Sequence, residues 1–299
     1  MPGGVPQVRD EVEWMRRKRE RSKRSVIDTV RRSVHHCVME SNHEKLIVIG
    51  GGVGPYAGTV LHQHVIAHTL TDGTDQTHIP VAHFSFSHQI PDRTRALQTG
   101  DIDQPVHGEC LQMKAGVQAA NLLGRQAVGG VPCNTFHAPR IWDRFVQELS
   151  RQGISVQLVH MIEEVAAHLQ NVCGPNAAVG LLSTTGTRQA GFYRTILEAK
   201  GMSVIEVPDD QQDAVHDTIY DRTQGIKAVT PVTDWARQRF EGFADLLIAR
   251  GADALILGCT EIPLALPGTQ FRGKPLVDPM VALARGLIRE ANPGKLKAL

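Results

Sequence analysis

Several absences narrow the class of this 299-residue chain. No stretch approaches the roughly 18 consecutive apolar residues that a membrane-spanning helix needs, so no membrane partner is expected. The formal net charge is only +1, which gives no overall attraction to nucleic acid or to an anionic lipid surface. There is no Cys-x-x-Cys pair, so a structural zinc site is not expected, and no set of metal ligands is named. The five cysteines, Cys37, Cys110, Cys133, Cys173 and Cys259, are odd in number and far apart. That argues against a disulfide framework and for a reducing, cytoplasmic setting. What is present is ordinary for a globular enzyme: 41% hydrophobic and 21% charged residues, enough for two domains.

Residues 1–44 stand apart in composition. Arg16-Arg17-Lys18-Arg19 is a dense basic cluster among few apolar positions, and it reads as part of a solvated helical extension. Asp10, Glu11, Glu13 and Glu20 break the acid-poor pattern of a transit peptide. His35-His36-Cys37 has no complementary ligand cluster nearby and is taken as structural.

From Leu46 onward the chain alternates apolar runs of strand length with helical patterns, the signature of an α/β fold with parallel sheets. Leu46-Ile47-Val48-Ile49 runs into Gly50-Gly51-Gly52-Val53-Gly54-Pro55 and then a helix. Gly52-x-Gly54-x-x-Ala57 matches a dinucleotide fingerprint only loosely, because no acidic residue ends a second strand about twenty residues on. The glycines are better read as letting backbone amides approach a small anion at a helix N-terminus. Ile79 to Phe86 reads as a second strand. Arg93, shortly past its end, is a candidate carboxylate fork, the plainer reading being a surface arginine paired with Asp92. A third strand leads to Cys133. A second series begins near residue 151, and its strand Ala178–Leu182 enters the hydroxyl-rich turn Ser183-Thr184-Thr185-Gly186-Thr187. That turn suits either an anion or simple helix capping. The expected organisation is a first α/β domain over 45–150 completed by 273–299, with Pro275–Asp278 and the last helix returning to it, and a second domain over 151–272.

Two cysteines follow strands directly, in Val131-Pro132-Cys133-Asn134-Thr135 and in Gly258-Cys259-Thr260-Glu261. Strand carboxyl ends are where open α/β sheets place ligands. A thiol there can be a nucleophile, a soft-metal ligand, an acid or base, or an ordinary buried side chain. His137 is near enough to Cys133 to activate it, although packing or capping is the more common role. Two similar thiols facing one cleft would suit removal of a proton from one face of a carbon and its return to the other.

At these motifs the chain resembles the aspartate/glutamate racemase superfamily, and more closely its aspartate racemase branch. The matching stretches include Gly51–Pro55, Gln89–Thr94, Pro132–Thr135, Met161–Glu164, Gly180–Thr187, Gly258–Glu261 and Val277–Pro279. The resemblance implies two Rossmann-like domains in a pseudo-two-fold arrangement, with the site in the cleft between them. It also implies a homodimer and no cofactor, with Cys133 and Cys259 as paired acid and base. Arg93 matches the arginine that grips a substrate carboxylate. Val53, Asn134, Thr135, Thr184, Thr185 and Thr260 match positions lining the cleft. The glutamate racemase branch fits less well, because Gly51-Gly52 and Glu261 stand where it has Asp-Ser and a histidine. A lysine that meets the substrate's second carboxylate in the family is missing near Gln224, and Arg222, Lys227 and Arg188 are its possible substitutes.

The expected activity is racemisation of aspartate or a related acidic amino acid. Another superfamily activity is the nearest alternative: hydantoin racemisation, isomerisation or decarboxylation of a related acid. A nicotinamide-dependent oxidoreductase would rest on the glycine loop alone, and a silent binding protein would have no use for two thiols.

Overall fold

In the computed structural model, residues 44–298 are described. The readings made for the basic N-terminal extension lie outside those residues. Lys45–Leu299 forms one compact unit, and its described residues carry two sheets.

The first sheet has strand order β2-β1-β3-β4, all parallel, with β1 at Leu46–Gly50, β2 at Val81–Phe84, β3 at Ala127–Gly130 and β4 at Gln157–Leu158. The second has order β6-β5-β7-β9-β8, with β5 at Ala178–Ser183, β6 at Ser203–Glu206, β7 at Ala254–Gly258, β8 at Gln270–Phe271 and β9 at Lys274–Val277. Only the β8–β9 pair is antiparallel. The α/β class with parallel sheets is therefore as expected. Every residue of β1 and of β7 is buried, which is why both read as unbroken apolar runs rather than alternating ones.

One part of the domain reading needs correction. β9 pairs with β7, so Pro275–Val277 joins the second sheet instead of returning to the first. The final helix, Pro279–Ala291, does cross over and packs on β3, on the helix Pro55–His68 and on the helix Met161–Cys173. The change of direction is local. Asp278 caps the helix by accepting from Met280 N at 2.8 Å, and Pro279 occupies its first turn, where a missing N–H costs nothing. Leu283, Leu287 and Ile288 then sit in one core with Ile47, Val128, Val179 and Ile256 from both sheets. The two sheets thus share apolar packing along this helix.

Labelling helices in order, α1 is Pro55–His68, α2 Arg93–Thr99, α3 Asp103–Leu122, α4 Pro139–Arg151, α5 Met161–Cys173, α6 Thr185–Ala190, α7 Phe192–Glu198, α8 Asp209–Tyr220, α9 Asp234–Ala249, α10 Ile262–Ala265 and α11 Pro279–Ala291. Helices α6 and α7 are divided by Gly191, whose φ of 67° is the left-handed conformation that ends helices. Helix α1 approaches the glycine turn so closely that a Cβ on Gly58 would stand 2.7 Å from Gly51 Cα and 2.4 Å from His83 Nε2. Gly58→Ala should therefore destabilise the protein by about 1–3 kcal/mol through overpacking. A urea unfolding midpoint equal to that of the parent would show that the helix shifts freely.

Candidate functional site

A cleft of about 360 Å³ opens at the carboxyl ends of the strands, with Val53, Arg93, Tyr220, Ile226, Lys227 and Glu261 among its lining residues. Two of these reach the two thiols singled out from sequence, one each. Cys133 and Cys259 are themselves 8% and 5% exposed.

On the first-sheet side, Arg93 opens α2, and Asp92 caps that helix by accepting from Arg95 N at 2.8 Å. Asp92 is thus a cap rather than the ion-pair partner of Arg93. The guanidinium donates to Val53 O and to Pro91 O, while its Nε is buried without a partner. Burial works against its charge, but the negative form of the adjacent Cys133 sulfur, followed by Tyr220 and Asp92, raises its pKa above the ordinary arginine value.

On the second-sheet side, Glu261 lies two residues beyond Cys259 and receives three donors. Lys227 Nζ is 2.5 Å from Oε1, and Thr260 Oγ1 and Cys259 Sγ are 2.8 Å and 3.1 Å from Oε2. Burial would raise the Glu261 pKa. The Lys227 charge and these hydrogen bonds more than offset it and hold the carboxyl below its usual range. Burial and then the Glu261 charge push the Cys259 thiol well above the ordinary thiol value, against the pull of Lys227. Burial disfavours the Lys227 ammonium, but the charges of Cys259 and Glu261 outweigh it and raise its pKa. Of the substitutes considered for the missing lysine, Lys227 is the one at the cleft. Arg188 is turned to Asp209, Gln212 and the Val207 carbonyl.

The hydroxyls expected to line the site partly meet one another. Thr135 Oγ1 is 2.9 Å from Thr187 Oγ1 and 3.5 Å from Thr184 Oγ1, joining the turn after β3 to the turn after β5. Thr184 also caps α6 through Thr187 N at 3.2 Å, so the capping role is realised. Thr185 Oγ1 is buried without a partner. Asn134, 3% exposed, accepts from Tyr193 Oη at 2.5 Å, while its Nδ2 has no partner. Behind Tyr193, burial raises the Asp278 carboxyl to about 6.

One sequence reading is revised here, and one less favoured alternative is set aside. The Gly52 amide is not free for an anion, because it donates to Gln112 Oε1 at 3.1 Å, which also accepts from Phe86 N at 3.0 Å. His137 is no activator of the Cys133 sulfur. Its Nδ1 meets the Cys133 carbonyl at 2.9 Å and its ring stacks on Trp142, and burial drives its pKa well below the ordinary histidine value. Sequence reasoning also missed Glu109, Gln112 and Tyr193, which lie inside helices and carry no motif. The role of Glu261 had one visible signal, its place in the strand-end turn with Cys259. Among the described residues no metal-ligand cluster occurs, and no helix is long and apolar enough to cross a membrane.

Two parallel sheets, each with a cysteine in the turn just beyond a strand end, define a class of α/β protein. The Asp/Glu/Hydantoin racemase family model matches residues 49–287, and the chain belongs to that family of isomerases. It is similar to the broad specificity amino-acid racemase RacX of Bacillus subtilis, 26% identical over 62% of this chain and 74% of that one. It is also similar to a glutamate racemase of Pseudomonas putida, 32% identical over 41% of this chain and 44% of the relative. Among solved structures, the Picrophilus torridus aspartate racemase superposes with a TM-score of 0.64 and 27% identity, covering 85% of this chain and 95% of that one.

Tyr193→Phe would leave Asn134 Oδ1 buried without its donor. That should cost about 1–3 kcal/mol, read as a lower denaturant midpoint. An unchanged midpoint would mean that the hydroxyl has no net stabilising role.

Proposed function

We propose that the protein is a cofactor-independent amino-acid racemase acting on aspartate or a related acidic amino acid, with Cys133 and Cys259 as the opposed acid and base. The observation that carries this reading is that Arg93 and Glu261 line one cleft, with Glu261 hydrogen-bonded to the Cys259 thiol and the Arg93 charge coupled to the Cys133 sulfur. One sulfur, as thiolate, removes the α-hydrogen: the C–H bond breaks and an S–H bond forms. The carbanion then takes a proton from the other sulfur on the opposite face.

Arg93 is the candidate grip on the α-carboxylate. Buried donors without partners, Arg93 Nε and Asn134 Nδ2, together with the Thr185 hydroxyl, support an anionic ligand, since such groups are otherwise costly to bury. Val53, Thr135, Thr184 and Thr260 complete the proposed lining. Lys227, with its side chain 26% exposed, is the candidate for a second carboxylate. A second reading, tolerance of neutral side chains, is favoured by one observation: the Lys227 charge is already balanced by Glu261. A thiol-based mechanism accords with a reducing cytoplasmic setting, and the homodimer remains part of the proposal by family analogy.

Each enantiomer of an amino-acid panel incubated in deuterium oxide should gain α-deuterium and its mirror image, with aspartate or a close relative fastest. Absence of exchange across the panel would refute racemisation. Cys133→Ser and Cys259→Ser should each slow interconversion by about 10²–10⁴-fold, the usual contribution of a general acid or base. Near-parent rates in either variant would exclude the two-thiol mechanism.

A further inference from the structure

The two thiols sit in unlike company. Cys133 has the Arg93 cation beside it, whereas Cys259 has a carboxylate. The contacts of that carboxylate are more than an ion pair closing a loop. One oxygen of Glu261 takes the Lys227 ammonium, and the other takes both the Cys259 thiol and the Thr260 hydroxyl. A neutral thiol is a donor to that oxygen, while a thiolate would face a second anion at the same distance. The geometry therefore discriminates between the two protonation states of one sulfur.

We propose that Glu261 is the proton partner of Cys259: its carboxylate holds the thiol protonated in the resting enzyme and makes the sulfur a strong base once that proton has been delivered. Lys227 supplies the positive charge that keeps the second state attainable. When Cys259 protonates the α-carbon, the S–H bond breaks, a C–H bond forms and the electron pair stays on sulfur. The site then holds two negative groups, and Lys227 is the cation between them. In the opposite direction the thiolate takes a proton from carbon and regains its hydrogen bond to Glu261. The titratable groups that act on Cys259 are Glu261 in its own turn, Lys227 from the loop after α8, Tyr220 at the end of α8, and Tyr193 from α7. Tyr220 and Tyr193 are both shifted upward, first by burial, and stay neutral. That leaves Glu261 and Lys227 as the opposing charges.

The catalytic consequence rests on the racemase reading, but the charge partnership does not, and the experiment separates them. The full chain and two variants are labelled with iodoacetamide across a pH series, and modification of the Cys259 peptide is followed by mass spectrometry. Only the thiolate reacts, so the position of the curve along the pH axis reports charge and its plateau reports access. In the parent, Cys259 labelling should still be rising at pH 10. In Glu261→Gln the curve should move down by at least about one pH unit, a roughly tenfold faster labelling at pH 8. Lys227→Met should move it the other way. If Glu261→Gln fails to fold, the Lys227→Met curve decides alone. An unmoved Glu261→Gln curve, or a Lys227→Met curve that is unmoved or shifts down, would overturn the partnership. Deuterium exchange by the parent is measured in parallel, and its absence would sink the racemase reading while leaving the labelling result to stand.

Discussion

The cleft depends on keeping a carboxylate, an ammonium and a thiol together and mostly away from water. Desolvating either ion alone is expensive, several kcal/mol in practice even after relaxation. Lys227 and Glu261 make it tolerable only as a pair at 2.5 Å, and only because the remaining carboxylate oxygen is saturated by Thr260 and Cys259. All three groups come from the second-sheet half of the chain: the turn after β7 supplies the thiol and the carboxylate, and the loop after α8 supplies the ammonium. Ile226 N donates to Thr218 O and Lys227 N to Ile219 O, so the segment carrying the lysine is anchored to α8 by its backbone. The charge cluster is built on a fixed frame and not on a free loop.

The other thiol is surrounded differently. Arg93 is held by the carbonyls of Val53 and Pro91, and neither neutralises its charge. The two halves of the cleft therefore repeat a topology, a parallel strand ending in Cys-x-Thr or Cys-Thr, without repeating its electrostatics. One sulfur meets a net cation and the other a carboxylate whose charge a lysine balances. Such asymmetry would suit the proposed two-base chemistry, in which one base holds a proton that the other lacks.

Much of this could be read from residues. The unbroken apolar runs at Leu46–Ile49 and Ala254–Leu257 announced buried parallel strands, and Cys133 and Cys259 marked the ends of β3 and β7. Arg93 was recognisable because it lies just beyond a strand. Glu261 and Lys227 were harder: a carboxylate after a cysteine and a lysine in a loop are common features, and their 2.5 Å contact joins positions 34 residues apart. The strand Lys274–Val277 was misassigned for a related reason. A short strand carries no mark of which sheet will pair with it, and only the long amphipathic helix after it gave a periodicity to follow. Tyr193 left no pattern because its burial is typical of a core aromatic, and only its hydroxyl, aimed at Asn134, distinguishes it.

The glycine turn shows how a sequence motif can be right about place and wrong about purpose. Its amides were expected to cradle an anion. Instead, Gly52 N is spent on Gln112, whose own Nε2 donates to Glu109 at 2.9 Å. Glu109 is wholly buried, and burial raises its pKa well above the ordinary carboxylate value, against the charge of Arg93 and the hydrogen bond from Gln112. Burial thus works against an ionised Glu109, which would compete with a ligand for the Arg93 charge. Gly50 must lack a side chain for this arrangement to exist, because a Cβ there would fall 1.5 Å from the Glu109 carboxyl oxygen. The glycines thus make room for an internal polar support that fixes the turn before any ligand arrives. A turn held in that way presents Val53 and its carbonyl to Arg93 at no reorganisation cost, the preorganisation on which electrostatic catalysis relies.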